Sequence, residues 1–351
     1  MSLESVREDI DYIDTKILRL LNERMEKSIL TIKFKQDVYD KKREEEVYNR
    51  IKKTSGKLLR PDFSVELFKN IMQECKKLQG EKKSIIAYQG VSGAYSEVAA
   101  KKWSKDLVPV ANKSFADVFH GVASGLYDYG IVPVENSLGG VVGQVNELFI
   151  STDTHIVGAV DLPIHHCLLA LKGASYREIK EVYSHPQALF QCKEFIKRNK
   201  MTSVSYYDTA GSARMLVDNK IKTSAVIASK LTADLNNLNI IKENIEDMDT
   251  NRTRFFIISK SKNDKSGKKS TATFTTAHKA GTLFKVLEVF AKGNINLTRI
   301  ESIPEKPGKF VFFIDFIGSD KDKNIKNAIS DIRNISNNFK LLRCYDEIIA
   351  K

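Results

Sequence analysis

Arg24 and Lys35 fall on the same line as Ile10 and Ile17 in the first amphipathic stretch of the chain. The first three positions are spaced by sevens, and Lys35 lies eighteen residues beyond Ile17, five turns at about 3.6 residues per turn. A face that carries isoleucine should be buried, and a buried cation without a partner is strongly unfavourable. The stripe therefore calls for an anion from a neighbouring segment, another subunit or a ligand. Snorkelling, with packed stems and charged heads in water, is the competing reading for either residue alone. Two cations on one line favour an anionic ligand.

A second set of anion-binding features lies further along. Four polar loops are expected to open helices: Gly90-Val91-Ser92-Gly93-Ala94-Tyr95-Ser96, Asn136-Ser137-Leu138-Gly139-Gly140, Ser184-His185-Pro186-Gln187 and Thr209-Ala210-Gly211-Ser212. Helix starts offer free N–H groups and the positive end of the macrodipole. Any one loop can be simple capping, but four in one segment suggest convergence on a small anion in a cleft by the strand ends. His165-His166-Cys167 with His185 admits a soft-metal reading. On a strand, however, His165 and Cys167 would face one side and His166 the other, and no further ligand pair has metal spacing, so a structural or supporting role is preferred and no metal is expected. No GxGxxG or P-loop occurs, and Gly139-Gly140-Val141-Val142-Gly143 is too short a match.

The elements that must position these groups fall into three segments of the 351 residues. Residues 1–80 carry only helical periodicity. A capping box of Ser5 and Glu8 leads into a helix with apolar Ile10, Ile13, Ile17, Leu20, Leu21 and Ile32, running to about residue 36, followed by helices at about 42–54 and 62–79. The first helix is too long for a compact domain of this size, so a helical dimer is expected. Residues 84–260 alternate short apolar strands (Ile85–Tyr88, Tyr129–Val132, Cys167–Ala170, Ala225–Ala228) with helices, an α/β pattern. Residues 260–270 read as a solvated linker. Residues 271–351 then give strand 271–278, helix 281–292, strands 295–303 and 310–317, helix 324–335 and strand 340–345, a ferredoxin-like βαββαβ order.

The net charge of +12 divides as +4, +1 and +7 over residues 1–83, 84–260 and 261–351, with acids interleaved. No basic run with interleaved aromatics tracks a phosphate backbone, which argues against nucleic acid. The lysine excess is compatible with steering of small acidic substrates. Cys75, Cys167, Cys192 and Cys344 are scattered without metal-ligand spacing and read as reduced thiols. With an acidic start and no apolar run of membrane length, the expectation is a cytoplasmic protein without a membrane partner.

The first segment resembles the all-helical chorismate mutases at Arg7, Arg24, Lys35, Asp40, Arg43, Glu44 and Gln79. The resemblance implies that Arg7 of a partner subunit and Arg24 clamp the two carboxylates of chorismate. It also implies that Lys35 and Gln79 hydrogen-bond the ether oxygen, Glu44 takes the ring hydroxyl, and Asp40 and Arg43 hold the loop and substrate rim. Cys75 stands where the family often has serine; the resemblance implies a secondary substrate contact there, and a buried core thiol is the competing reading. These residue types suit a Claisen rearrangement, which needs positioning and preorganised charge but no nucleophile.

The middle segment resembles prephenate dehydratase through Gly90–Ser96, Val132–Ser137, His165–Leu169, Ser184–Gln187, Asp208–Ser212 and Asn251–Phe255. The resemblance implies two α/β subdomains facing across a cleft, like a type II periplasmic binding protein. Thr253 would assist departure of the ring hydroxyl while Asn136 and Gln187 orient the ring; Ser96, Glu135, Ser137, Thr209, Ser212 and Arg254 would bind substrate. Threonine is a poor acid, so Thr253 is alternatively a donor within a relay whose proton source is Glu135 or His185. The last segment resembles ACT regulatory domains, which bind amino acids between paired copies. Gly281-Thr282-Leu283 and Glu301-Ser302-Ile303-Pro304 match its two motifs, with Ile303 in place of the usual arginine.

Together these readings imply a multidomain, cofactor-free enzyme. Its parts are an all-α mutase (1–80), a periplasmic-binding-protein-like α/β dehydratase (84–260) and an α+β ferredoxin-like ACT domain (271–351). It would convert chorismate through prephenate to phenylpyruvate, with phenylalanine as effector, as a homodimer with tetramers an open further step. The competing readings are an amino-acid sensor without turnover and a mutase with an inactive second domain. The empty mutase site should hold Arg24 and Lys35 hydrated in an interhelical cavity or paired with Glu44, and not sealed in a dry core.

Overall fold

The computed structural model describes residues 3–350 except 36, 57, 263–266 and 307. The chain divides into two compact units, Met1–Ser84 and Ile85–Lys351. No helix among the described residues is long and apolar enough to cross a membrane.

The first unit is three helices: α1 (Leu3–Leu30), α2 (Lys41–Thr54) and α3 (Pro61–Gly80). Beyond Leu30 the α-helix tightens into a 3₁₀ turn, Thr31–Phe34, and Lys35 is already extended at φ −138°, ψ 150°. The Thr31 hydroxyl donates to the Ser28 carbonyl at 2.7 Å, a local bond that competes with the helical ladder at this end. Asp40 caps α2 by accepting from the Arg43 N–H at 2.9 Å, and Pro61 opens α3 at a position whose N–H is dispensable. The side chain of Ser5, half of the expected capping box, lies outside the described residues. The expectation of burial fails for the front half of α1: Ile10, Ile13, Ile17 and Leu20 are 52%, 52%, 48% and 58% exposed. The helix is about 42 Å long at 1.5 Å per residue, and its apolar N-terminal line is open in the single chain.

The second unit begins with β1 (Ile85–Gln89), β2 (Val108–Asn112) and β3 (Tyr129–Asn136), parallel in the order β2-β1-β3. The loop after Asn136 does not open a helix directly. Gly140, at φ +74°, reverses the chain into the two-residue β4 (Gly140–Val141), which pairs with Glu135 and Asn136. The helix begins only at Gly143. After β5 (His155–Pro163) the chain crosses into a second sheet of β6 (Cys167–Ala170), β7 (Glu181–Ser184), β8 (Thr202–Ser205), β9 (Ser224–Ala228) and β10 (Asn239–Lys242), ordered β10-β6-β9-β7-β8. It returns as β11 (Arg252–Ser259), which runs antiparallel between β3 and β5. The strand β9 is buried throughout, as expected for a sheet covered on both faces.

The chain then forms β12 (Lys269–Thr275), β13 (Leu297–Lys306), β14 (Lys309–Ile317) and β15 (Asn337–Tyr345), in the order β13-β14-β12-β15, with helices Thr282–Lys292 and Lys323–Ile335. This is the expected βαββαβ layer. Val286, Phe290, Ile325 and Ile332 on the helices pack against Ala272, Phe274 and Ile314 of the sheet. Of the expected linker, residues 263–266 lie outside the described residues. Its end is not solvated: Gly267 is buried and its N–H donates to Cys344 Sγ at 3.2 Å. A final strand, β16 (Glu347–Ile349), was not foreseen; it pairs parallel to β5 and so carries the chain end back to the first sheet.

A buried ion cluster joins this end to β11. Arg254, 7% exposed, donates to Asp315 (2.6 Å), Glu347 (2.6 Å), Glu135 (3.2 Å) and the Tyr345 hydroxyl (2.7 Å). Thr271 donates to the other oxygen of Asp315, and Lys269 pairs with Glu347. Burial alone would raise the Glu347 carboxyl, but Arg254 and Lys269 outweigh it and hold it below its ordinary value. Such a cluster loses most when one partner is removed and the others stay buried. Arg254→Met should lower the unfolding free energy of the second unit by about 3–5 kcal/mol, read from urea denaturation. Glu347, with a lowered folded value, contributes stability that is complete above the ordinary carboxylate range and lost as pH falls through the lowered value.

Candidate active sites

In the first unit a cavity of about 380 Å³ opens between the helices. Arg24 and Lys35 both line it and both are half-buried, hydratable rather than sealed in a dry core. Arg24 Nη1 donates to Cys75 Sγ at 2.7 Å, and Lys35 Nζ to the Val38 carbonyl at 3.0 Å. Glu44 does not pair with either of them. Lys76 Nζ lies 3.0 Å from its Oε1, and the Tyr48 hydroxyl 3.4 Å from its Oε2. Asp40 and Arg43 also line the cavity, Asp40 engaged as the cap of α2 and Arg43 turned to Glu46 at 3.0 Å. Gln79, 5% exposed, lines it too, but its amide N–H groups are engaged by the end of α1 and the 3₁₀ turn, at 2.8 Å from the Ser28 carbonyl and 3.0 Å from Thr31 Oγ1. Exchanging its N and O would set an oxygen against the Ser28 carbonyl, so that carbonyl selects this orientation.

Sequence reasoning missed three further cations on this wall, Lys27, Arg50 and Lys76. Lys76 follows Cys75 directly on α3, a position the motif spacing left unexamined. With Arg24, Lys35 and Arg43 opposed only by Asp40 and Glu44 among the lining residues, the cavity suits a dianion. Arg7 is exposed and does not line it. It sits seventeen residues before Arg24, about 25 Å along the same helix, beyond side-chain reach.

In the second unit the cleft between the two sheets holds a cavity of about 250 Å³. The register sets Thr253 of β11 opposite Asn136 of β3, and both reach the cavity. Asn136 Oδ1 accepts from the backbone N–H groups of Leu138 (3.1 Å) and Gly139 (2.7 Å). Its Nδ2 lies 2.9 Å from Thr253 Oγ1, 2.8 Å from Asn251 Oδ1 and 3.0 Å from the Arg252 carbonyl. Gln187 and Thr209 line the cavity from the start of their helices, and Ser96 from the opposite lobe. A Cβ on Gly139 would come within 2.2 Å of Gln187 Nε2, so glycine is what lets that amide lie over the loop.

Four expected ligands lie elsewhere. Arg254 and Glu135 alternate with Thr253 and Asn136 along their strands and so point away from the cleft, into the ion cluster. Ser137 donates to the Thr250 carbonyl at 2.8 Å, and fully buried Ser212 to the Thr209 carbonyl at 2.7 Å, both holding local backbone. Conversely, Tyr95, His166, Gln191 and Asp208 line the cavity without having been assigned to it. Gln191 is four residues after Gln187 on one short helix, a spacing that places both on one face and was a usable signal. His185, the alternative proton source, caps its helix by accepting from the Gln187 N–H at 3.2 Å. His165 pairs with Glu246 at 2.7 Å.

A third cavity, of about 410 Å³, lies at the start of helix Thr282–Lys292. Gly281, Thr282 and Leu283 line it with Phe284, Phe310 and Phe312. Glu301 and Ser302 do not. Glu301 instead bonds Arg299 at 2.7 Å and Asn146 at 3.3 Å.

Burial raises the Cys167 thiol to about 11 and pushes Cys192 up further still. Both should resist iodoacetamide at pH 8 in the folded protein and react fully once it is denatured, as mass spectrometry would read.

Comparison with known proteins gives the same division of the chain. The family model for chorismate mutase type II matches residues 6–80, that for prephenate dehydratase residues 86–263, and that for the ACT domain residues 272–334. The bifunctional chorismate mutase/prephenate dehydratase of Aquifex aeolicus is 33% identical over 99% of this chain and 99% of its own. Among solved structures, prephenate dehydratase from Arthrobacter aurescens in complex with L-Phe superposes with a TM-score of 0.70 at 26% identity, covering 75% of this chain and 89% of that one. GqqA, described as a novel type of quorum-quenching acylase, also gives 0.70, at 30% identity, with 74% of this chain and 97% of that one covered. With helices, cleft and βαββαβ layer in the same order as the three family models, the chain belongs to the family of bifunctional chorismate mutase/prephenate dehydratases.

Proposed function

We propose that the two units carry out successive steps, chorismate to prephenate in residues 1–80 and prephenate to phenylpyruvate in residues 84–260, under control of residues 271–351. The observation that carries the second step is the Thr253 hydroxyl, held at the cleft wall by Asn136 at 2.9 Å. Prephenate loses its ring carboxylate as CO2; the electron pair of that bond completes the aromatic ring as the C–O bond at the opposite carbon breaks. A hydrogen bond to the leaving oxygen stabilises the departing hydroxide, and a proton drawn from solvent turns it into water. Thr253 is the hydrogen-bond donor, while Asn136 and Gln187 hold the ring and Ser96 and Thr209 contribute to substrate binding.

For the mutase step, Arg24 takes one carboxylate and Lys35 the ether oxygen, where negative charge grows as the C–O bond breaks. Gln79 joins Lys35 after giving up its contact with α1. Glu44, steadied by Lys76, accepts from the ring hydroxyl. The open apolar line of α1 and the distance of Arg7 from the cavity support a homodimer in which Arg7 of the partner subunit completes the site. The cavity at Gly281, Thr282 and Leu283 is the phenylalanine site, its apolar side formed by Phe310 and Phe312, with Glu301 and Ser302 reaching it only from a paired copy. The protein acts in the cytoplasm.

Arg24→Ala should lower mutase activity by about a hundredfold or more and leave dehydratase activity on supplied prephenate intact; Thr253→Ala should do the reverse. Loss of both activities in either variant, with circular dichroism unchanged, would count against two separate sites. An Ile10→Lys/Ile17→Lys double substitution should remove mutase activity and weaken the dimer on size exclusion, with pairing left to residues 271–351. Retention of the dimer with full activity would count against this face.

A further inference from the structure

Lys76 is placed unlike its neighbour on α3. Lys77 is exposed and pairs with Glu74 one turn back on the same helix. Lys76 is half-buried and reaches across to α2, where its Nζ lies 3.0 Å from Glu44 Oε1. The ring of Tyr39, from the loop before α2, stands 5.3 Å from the same Nζ and steadies it from a second side. The Tyr48 hydroxyl donates to the other oxygen, Glu44 Oε2, at 3.4 Å, and this long bond leaves the carboxylate acceptor capacity for a further donor. Burial and then the Glu44 charge push the Tyr48 phenol up, which keeps it a donor. Glu44 itself lines the cavity with its side chain only 15% exposed. A ring hydroxyl needs an acceptor there, but an acceptor carrying a full charge repels the two carboxylates that enter with it, and at this burial water screens the repulsion poorly. Asp40, the other acid on the wall, is stabilised by the first turn of α2 through the Arg43 N–H. The cation that meets Glu44 is Lys76.

We propose that Lys76 is a positioning residue of the mutase step: by offsetting the Glu44 charge it lets that carboxylate accept from the ring hydroxyl without repelling the substrate dianion. The proposal rests on Glu44 being the acceptor of that hydroxyl. The two substrate carboxylates keep their charge throughout the rearrangement, so the repulsion that Lys76 removes weighs on bound substrate and transition state alike. Its loss is therefore felt in KM and not in kcat. Lys76 touches no reacting atom in this scheme, and a neutral acceptor in place of Glu44 makes it dispensable.

The test uses the full-length chain with chorismate, read by its loss of absorbance, and supplied prephenate as the control. Lys76→Met should raise KM for chorismate about 5- to 20-fold, with kcat within about threefold and the dehydratase rate unchanged. Lys76→Arg, which keeps the charge, should recover most of the loss. Glu44→Gln, whose amide oxygen still accepts from the hydroxyl, should stay within about fivefold of the wild-type kcat/KM. In that background Lys76→Met should cost less than about twofold more, since the charge it offsets is gone. An equal cost in both backgrounds would place Lys76 directly on the substrate and overturn the proposal. So would a loss confined to kcat, or a Lys76→Arg variant no better than Lys76→Met with circular dichroism and dehydratase rate intact. If Glu44→Ala alone keeps the wild-type mutase rate, the assignment of Glu44 fails first, and that result is distinct from any outcome at Lys76.

Discussion

The antiparallel pairing of β11 with β3 is the constraint on which the second unit depends. One register sets Thr253 opposite Asn136 and Arg254 opposite Glu135. Because side chains alternate across a strand, that single pairing sends the first pair into the cleft and the second into the ion cluster. A slip of one residue would exchange them, putting a guanidinium in a 250 Å³ cavity and a threonine against Asp315 and Glu347. The register is guarded on both sides: Asn136 is tied to the backbone of its own loop, and Arg254 to three carboxylates and a phenol.

The two active sites use different physics on one chain. The mutase cavity is an excess of cations on a half-open wall, where the ligand's own charges complete the electrostatics and few side chains need fixed orientations in its absence. The dehydratase cleft holds few charges and depends on the direction of neutral hydrogen bonds. There, donor and acceptor identity propagates from one buried group to the next, and a wrong amide rotamer is as damaging as a missing side chain.

Much of this was legible because period and spacing report it directly. Helical patterning gave α2 and α3 closely, and apolar runs marked β1, β6 and β9. What the sequence hid were features set by partners distant in the chain. Arg254 reads as a substrate clamp beside Thr253 until the strand alternation is known. Lys76 reads as a surface lysine until α3 is packed against Glu44. Gln191 becomes visible only once Pro186–Gln191 is seen as helix with Gln187 and Gln191 on one face. The 3₁₀ turn after Leu30 and the three-residue β16 are too short for any periodicity to register.

Four consecutive residues show how much one segment is asked to do. Asn251 meets the Asn136 amide; Arg252 holds Asp161 at 2.9 Å and the Ala350 carbonyl at 3.0 Å; Thr253 enters the cleft; Arg254 enters the ion cluster. Arg252 and Arg254 thus fasten the chain end and β14, a strand of the βαββαβ layer, to the two sides of the residue that enters the cleft. Any shift of β14 or β16 relative to β11 must strain Arg254 or release it. Since Thr253 is its covalent neighbour on a strand paired on both edges, the strain reaches the cleft through backbone that has little room to absorb it.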